Sequence, residues 1–360
     1  MVRPPWRSIP ACTALVALGF VCLGCYLGWL EYAARVAERD SWQRLMSPTQ
    51  ADPGLTAPEV QPTSDAARVT VGIYLERIAK FEVPQSSWTA VLDIWFEWEG
   101  DRFDPAARLV AVDGSIGRLD TLREIHEGEH HFVCYAAEIQ FTRVFGVTHF
   151  PLDDHLLLLG FENGEFDRRQ LLFVPDTANS VSSSRVAVPG YRVTGLRAIE
   201  KPHSYKTSRG LPHAEPGLPA TFSQARFGLE LRRDGWGLFL KMFQALFVAV
   251  AIAVLPFFIR PTHVDPRFGL GVGALFAAVA NAYLIISYVP QTGEFTLADM
   301  VNLVGIVTIL ITLVESTISL LIWQEWGRQD LSRRLDRAAF LAVLGGYVTA
   351  NAAILLGAIG

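Results

Sequence analysis

Apolar runs near both ends of the chain flank a middle segment of mixed polarity. The first run extends from about Ile9 to Leu30 and is long enough for a helix to cross a bilayer. Four further runs of similar length fill the last third of the chain. They are about Trp236–Ile259, Phe268–Val289, Met300–Trp323 and Ala339–Ile359. The pattern therefore predicts five membrane-spanning helices.

Charged residues between these runs predict how the chain crosses the membrane. The loop 290–299 carries Glu294 and Asp299 and no basic residue, whereas the other connectors are basic. The basic residues are Arg260, Arg267, Arg328, Arg333, Arg334 and Arg337. Because basic connectors stay in the cytoplasm, residues 31–234 lie outside, which in a bacterial inner membrane means the periplasm. We interpret the first run as an uncleaved anchor, with a cleaved secretory signal as the alternative.

The middle segment has the pattern of a β domain. Residues 47–67 are rich in proline and polar residues and predict a linker without a core. Apolar residues then recur at every second position, most clearly between Trp88 and Trp98, as in a strand with one buried face. Other runs of this kind are Val69–Ile78, His131–Phe141, Leu156–Glu162, Gln170–Val174, Tyr191–Ile199 and Phe222–Leu231. Many short strands separated by turn residues predict a β-sandwich.

These patterns together predict the organisation of the chain. Residues 1–46 form an anchor helix with a juxtamembrane stretch, and residues 47–67 form the linker. Residues 68–234 form a periplasmic sandwich, and residues 235–360 form a four-helix bundle. The predicted fold class is therefore an all-β extracellular sandwich plus an all-α four-helix transmembrane bundle, with an extra N-terminal transmembrane helix.

Composition and charge narrow the function. The chain has 51% hydrophobic and 19% charged residues, which is rich in apolar residues for a soluble protein. Its net charge of -5 offers no basic face for a phosphate backbone, so we expect no nucleic-acid partner. Three cysteines lie in the first apolar run and Cys134 stands alone in the middle segment, which excludes a disulfide within the β domain.

One short motif suggests a metal site. The sequence His126-Glu-Gly-Glu-His130 matches the zinc-protease pattern, and His131 adds a third imidazole. That motif works on a helix, which places both histidines on one face, whereas Gly128 before the strand at His131 predicts a hairpin. We therefore expect no enzymatic activity, no metal and no cofactor. A membrane-anchored zinc hydrolase is one alternative function, and it requires a helix around His126.

A β domain followed by four closely spaced helices, together with three short motifs, resembles the pentameric ligand-gated ion channels, in the bacterial branch without the signature disulfide. Val69-Thr-Val-Gly-Ile-Tyr-Leu75 resembles their opening strand, and Phe150-Pro-Leu-Asp153 resembles the turn that faces the membrane. Arg267-Phe-Gly-Leu-Gly-Val272 is similar to the start of the pore-lining helix, and Pro290 follows at the spacing of the helix 2–3 loop.

The sequence also departs from that family. The two cysteines of animal receptors correspond to Arg143 and Leu157, and Trp98-Glu-Gly-Asp-Arg102 has its aspartate one place late. The stretch from Arg102 to His131 lacks a Trp-x-Pro segment, so part of the usual aromatic ligand box is missing. The resemblance therefore does not identify an agonist.

The resemblance implies a pore wall on the second of the four helices. The implied lumen-facing residues are Asp265, Gly269, Gly273, Phe276, Ala280, Tyr283 or Leu284, and Ser287. Steps of three and four residues place them on one helical face. Five copies of Phe276 would form a hydrophobic gate. The alternative is a face that packs on another membrane helix, because small residues favour such packing.

The resemblance also implies residues that couple the β domain to the pore. They are Pro151 and Asp153 of the turn, Arg233 at the end of the last strand, and Pro290 and Thr292 of the helix 2–3 loop. The sign of the permeating ion stays open, because a ring of Asp265 would favour cations and a ring of Arg267 would favour anions.

Two further candidates concern the stimulus. Glu315 lies within the third of the four helices and is either a proton sensor or a helix contact bonded to Thr312 or Ser316. Tyr205, Tyr191 and Tyr135 are the candidates for a ligand box, because cationic ligands bind aromatic faces.

The sequence thus predicts a homopentamer in the lipid bilayer that conducts inorganic ions when a small molecule or a proton acts on the periplasmic sandwich. The alternative is a non-conducting membrane receptor of the same fold, because the implied pore face offers little polarity.

Overall fold

The computed structural model of the chain describes residues 9–50, 60–100, 104–210, 219–288 and 293–360. Its contacts divide the chain into two compact units. The helical unit consists of Met1–Val36, Val147–Asp153 and Gly235–Gly360. The β unit consists of Ala37–Gly146 and Asp154–Asp234.

The β unit contains two sheets in a sandwich-like arrangement. The strands are β1 (Ala67–Glu82), β2 (Ser87–Glu99), β3 (Leu109–Val112), β4 (Gly114–Glu127), β5 (His130–Thr142), β6 (His155–Asn163), β7 (Leu171–Pro175), β8 (Val181–Ser182), β9 (Tyr191–Ser204) and β10 (Thr221–Arg233). One sheet has the order β4-β5-β2-β1-β7, with β8 paired to β1, and the other has the order β3-β6-β10-β9. The alternation predicted in β2 is confirmed, because the side chains from Trp88 to Trp98 at every second position are buried.

Strand β4 was not predicted from the sequence. It lies at the edge of its sheet, and most of its side chains are exposed. An edge strand with little burial carries no apolar alternation, which is the signal that revealed β1, β2, β5, β6, β7, β9 and β10. The short strands β3 and β8 were not predicted either.

The zinc-protease motif lies on the hairpin between β4 and β5, as predicted. His126 is paired across the hairpin with His131, and Gly128 in the turn has a φ of +65°. The left-handed conformation at that turn suits glycine, which has no Cβ. The helix that a zinc hydrolase would need around His126 is therefore replaced by two strands.

The helical unit contains one N-terminal helix and four C-terminal apolar helices. The helices are α1 (Ile9–Leu45), α2 (Trp236–Ala253), α3 (Val264–Ile286), α4 (Leu297–Gln324) and α5 (Gln329–Ile359), and a 3₁₀ turn (Leu255–Phe258) follows α2. All five α-helices include a stretch long and apolar enough to cross a membrane, which makes the chain a multi-pass membrane protein.

Four helices begin or end outside the apolar runs, and one of them is α3, which begins at Val264, before Phe268. Helix α1 continues beyond Leu30 through the juxtamembrane stretch that was predicted to follow the anchor helix. Helix α4 begins before Met300, because the Thr296 side chain accepts a hydrogen bond from the Asp299 backbone and the Asp299 carboxylate accepts one from Thr296. Helix α5 begins at Gln329, within a charged stretch that precedes the apolar run.

Helix α1 packs closely against α5 through small residues. A Cβ added to Gly357 would lie 2.0 Å from the backbone oxygen of Gly28, and one added to Gly28 would lie 2.5 Å from that of Ala353. A Cβ added to Gly24 would lie 2.5 Å from the Cα of Ala350. Such small-residue contacts let the backbones of membrane helices approach each other.

Candidate functional site

One face of α3 is exposed along its whole length. All seven residues of the implied pore wall lie on it, and Phe276 and Tyr283 are each 73% exposed. Leu284, the alternative to Tyr283, is exposed as well. No atom lies within 4 Å of a Cβ added to Gly269 or Gly273, apart from the helix itself and the chain neighbours. The face is therefore free of contacts with the rest of the described chain.

The opposite face of α3 is buried and packs within the helical unit. Its buried residues are Arg267, Gly271, Ala274, Ala278, Asn281 and Ile285. Asn281 donates a hydrogen bond to the side-chain oxygen of Asn302 on α4 at 3.1 Å. A Cβ on Gly271 would lie 2.4 Å from a methyl group of Leu313, so α3 and α4 are close together there. These contacts fix which face of α3 is left exposed.

Arg267 is fully buried between three helices. Its guanidinium lies 2.7 Å from Asp336 on α5 and 3.5 Å from Glu315 on α4. It also donates to the backbone oxygen of Ile259 at 3.1 Å. Asp265, two residues earlier, is exposed in the first turn of α3. The two charges that compete for ion selectivity in the sequence therefore occupy different environments.

Glu315 has an arginine partner, whereas the sequence suggested a hydroxyl partner. Thr312 donates its hydroxyl to the backbone oxygen of Ile309 at 2.6 Å. Sequence reasoning missed Asp336 as the third member of this cluster. Asp336 lies among arginines before an apolar run, a context that is typical of charges at the membrane surface.

The turn with Pro151 and Asp153 belongs to the helical unit. The backbone N–H groups of Leu297 and Ala298, at the start of α4, donate to Thr148 and Phe150 at 2.7 and 3.1 Å. A Cβ added to Gly235, just before α2, would lie 2.5 Å from the backbone oxygen of Pro151. Asp153 is buried, with only 1% of its surface exposed. The turn thus contacts the residues where two membrane helices begin.

Helix α1 contacts the same turn through a buried hydrogen bond between side chains. The Glu31 carboxylate lies 2.5 Å from Nδ1 of His149, and both side chains are almost fully buried. Arg35 of α1 donates to the backbone oxygen of Leu152 at 3.5 Å. The extra N-terminal helix therefore holds the turn from another side, a contact that the sequence gave no reason to expect.

Arg233, another coupling candidate, contacts Asp154 and Tyr191 in the β unit. The backbone N–H of Arg233 donates to the Asp154 carboxylate at 3.0 Å. Its guanidinium lies 4.2 Å from the centre of the Tyr191 ring and donates to the Tyr191 hydroxyl. Pro290 and Thr292 lie outside the described residues.

The three tyrosines of the suggested ligand box are not in one cluster. Tyr191 and Tyr205 lie at opposite ends of β9, and Tyr135 lies on β5 of the other sheet. Tyr191 packs against Phe81 and His155 in addition to Arg233. Burial raises the pKa of Tyr135 to about 12.

Tyr205 belongs to a cluster around the carboxylate of Glu162, which is fully buried. The Tyr205 hydroxyl, the Arg209 guanidinium and the Gln224 amide donate to this carboxylate at 2.7, 2.5 and 2.9 Å. The Arg209 guanidinium also lies 4.2 Å from the centre of the Tyr205 ring. Burial, reinforced by the negative charge of Glu162, raises the pKa of Tyr205.

A cavity of about 510–520 Å³ borders each of two clusters described above. In the β unit it is lined by residues that include His203, Tyr205, Gln224 and Arg226. In the helical unit it lies among α1, α4 and α5, and its mostly apolar lining includes Glu315 and Thr13.

No protein-family model matches the sequence, and no curated protein is significantly similar to it. The candidate sites are therefore interpreted from their own geometry and chemistry.

Proposed function

We propose that the chain is one subunit of a homopentameric ion channel in the bacterial inner membrane, opened when a ligand or a proton acts on its periplasmic β unit. The observation that carries the proposal is the exposed face of α3. An apolar helix with one face packed on its own subunit and the other face uncovered is what a pore-lining helix requires before assembly.

The residues on this face suit a gate. Gly269, Gly273 and Ala280 are small, and Phe276 between them is large and apolar. Five phenylalanines meeting on an axis would form a constriction that loses its water when the helices lean inward. Asp265 and Ser287 at the two ends of the face would meet hydrated ions at the two mouths of the pore.

The charges near the start of α3 support cation conduction. The charge of Arg267 is buried beside two carboxylates, whereas Asp265 is exposed. A ring of five exposed carboxylates attracts cations, and five buried and paired guanidinium groups contribute little to the potential in the lumen.

The turn from Val147 to Asp153 supports a route for gating. It connects β5 to β6, and its backbone accepts hydrogen bonds from the first residues of α4. A displacement of these strands would therefore reach the helices through covalent and hydrogen-bonded links. Glu315 remains the candidate proton sensor, because protonation would weaken its pairing with Arg267.

Ion flux through liposomes that contain the purified protein tests the proposal. A series of pH values, with and without candidate ligands, gives the basal and the stimulated flux. Phe276→Ala should widen the constriction and increase the basal flux of monovalent cations. Phe258→Ala is the matched control, because Phe258 is 72% exposed, close to the 73% of Phe276, but lies outside α3.

The control variant should conduct like the wild type. A protein that is correctly assembled but silent in every variant would favour the non-conducting receptor. Equal effects of the two substitutions would mean that the α3 face has no special relation to conduction.

A further inference from the structure

The cavity among α1, α4 and α5 has the size and lining of a small-molecule site. Its volume is about 510 Å³, within the range of pockets that bind small ligands. Apolar side chains from all three helices form most of its lining, and Glu315 is the one charged residue among the described residues that line it. The extra N-terminal helix contributes one wall of the cavity, through Cys12, Thr13 and Val16.

The carboxylate of Glu315 is only partly compensated by its neighbours. The Arg267 guanidinium makes two hydrogen bonds to Asp336, at 2.7 and 3.3 Å, and reaches Glu315 only at 3.5 Å. The cluster thus contains two carboxylates and one guanidinium. Glu315 is 7% exposed, and its Oε1 is buried without a hydrogen-bond partner in the part of the chain that the structure describes. A buried carboxylate oxygen without a partner costs free energy, which a donor from a ligand would offset.

The cavity can be reached from the outside of the helical unit. Leu310, Val314 and Ile318, which belong to its lining on α4, are exposed. In a membrane the surroundings of such apolar side chains contain no water. A ligand that enters on this side must therefore dissolve in the hydrocarbon layer, which requires an apolar body.

We propose that this cavity binds a small lipophilic amine, whose ammonium group donates to Oε1 of Glu315 and whose hydrocarbon part contacts the apolar lining. The ammonium supplies the positive charge that the cluster of Arg267, Glu315 and Asp336 lacks. A neutral ligand fills the same space but leaves the second carboxylate uncompensated. As a binding site this stands on the cavity and its contacts alone, whereas an effect on channel opening, through the pairing of Glu315 with Arg267, rests on the proposed function.

Photoaffinity labelling of the purified full-length protein in phosphatidylcholine nanodiscs tests the proposal. The probe is a six-carbon primary amine with a diazirine group in its chain, and the control compound has a hydroxyl group in place of the amine. Mass spectrometry identifies the labelled residues. The amine should label Val16, Ile318 and Ala342 of the lining about tenfold more than the alcohol does. Labelling at Leu356, which is exposed on α5 and does not line the cavity, corrects for how much of each compound enters the bilayer.

Three variants make the result specific. Glu315→Gln should abolish the preference for the amine, because a neutral amide does not attract an ammonium group. Glu325→Gln is the matched control, since it makes the same change at an exposed position at the C-terminal end of the same helix, and it should keep the preference. Ala342→Phe should reduce labelling by the amine at Val16 and Ile318, because the larger side chain fills the cavity, and it provides a second test if Glu315→Gln fails to fold.

The proposal is overturned if the amine and the alcohol label the lining equally after the correction, because the cavity would then be an apolar crevice only. It is also overturned if the preference survives Glu315→Gln, or if folded Ala342→Phe is labelled like the wild type.

Nanodiscs that also contain phosphatidylethanolamine distinguish a small amine from the amine of a lipid headgroup. Labelling by the probe should persist in them, and its loss would assign the site to the lipid and overturn the small-molecule ligand. None of these measurements requires conduction, so their failure and a failure of the flux experiment are separate results.

Discussion

The ion pair between Arg267 and Asp336 should contribute strongly to the stability of the helical unit. Both side chains are almost fully buried, and their closest atoms are 2.7 Å apart. Removing Arg267 leaves two buried carboxylates without their cation, and removing Asp336 leaves Arg267 with only the longer contact to Glu315. Breaking a buried pair in this way costs about 3–5 kcal/mol. We therefore expect Arg267→Met and Asp336→Leu each to lower the free energy of unfolding by about that amount.

The double variant should be much more stable than the sum of the two single effects predicts. When both charges are replaced by apolar side chains, no unpaired partner remains in this pair, and such replacements are often neutral. Glu315 keeps its carboxyl group but loses a contact with Arg267 that is longer, at 3.5 Å. Unfolding in mixed micelles, followed by tryptophan fluorescence, gives the four free energies of the cycle.

Arg192 and Asp234 in the β unit provide the matched control. Their atoms are 2.6 Å apart, but the side chains are 71% and 63% exposed. An exposed pair is screened by water, so its coupling should be about 0.2–1 kcal/mol despite the shorter distance. Additive effects at Arg267 and Asp336, or equal coupling in the two pairs, would refute the reasoning from burial.

Three other predictions follow from the described contacts. Asp265→Asn should shift the reversal potential of the proposed channel in a salt gradient toward that of anions, and an unchanged reversal potential would remove Asp265 from the proposed selectivity filter. Gly357→Ala should destabilise the protein by about 1–3 kcal/mol because its Cβ meets Gly28, whereas Gly345→Ala, with no atom near its Cβ, should be neutral or stabilising in the same unfolding assay. Tyr135 holds its proton more tightly in the folded state, with a pKa of about 12 against the ordinary 10.0, so stability should fall as the pH rises from 10 to 12, and Tyr135→Phe should reduce that fall.

The main elements of the fold could be predicted because buried residues alternate with exposed ones in the strands and apolar residues form long runs in the helices. Apolar residues at every second position revealed strands such as β2, and long apolar runs revealed the four C-terminal helices. The extension of α1 is also visible in retrospect, because no glycine or proline interrupts residues 31–45. The edge strand β4 had no such signal, since exposed positions on both of its faces are under little constraint to be apolar.

The partners of buried charges could not be predicted from the sequence. Asp336 and Arg267 are 69 residues apart, and each lies in a context that also fits a charge at the membrane surface. Arg209 and Glu162 are 47 residues apart, and nothing in the sequence of either segment indicates the other. Long-range pairs of this kind depend on the packing of whole elements, whereas the exposed face of α3 follows from residues within one helix.

Cysteine accessibility along α3 tests the central claim most directly. In a background with the four native cysteines replaced by serine, single cysteines replace Phe276 and Ala280 on the exposed face, Ala274 on the buried face, and Leu341 on α5, which is 71% exposed. A charged thiol reagent that does not cross membranes is applied to proteoliposomes while ion flux is recorded. We predict that Phe276→Cys and Ala280→Cys react and lose flux, whereas the cysteines at Ala274 and Leu341 stay unmodified. Equal protection of the Phe276 and Leu341 positions would mean that the α3 face contacts lipid or protein instead of water and would contradict the proposed pore.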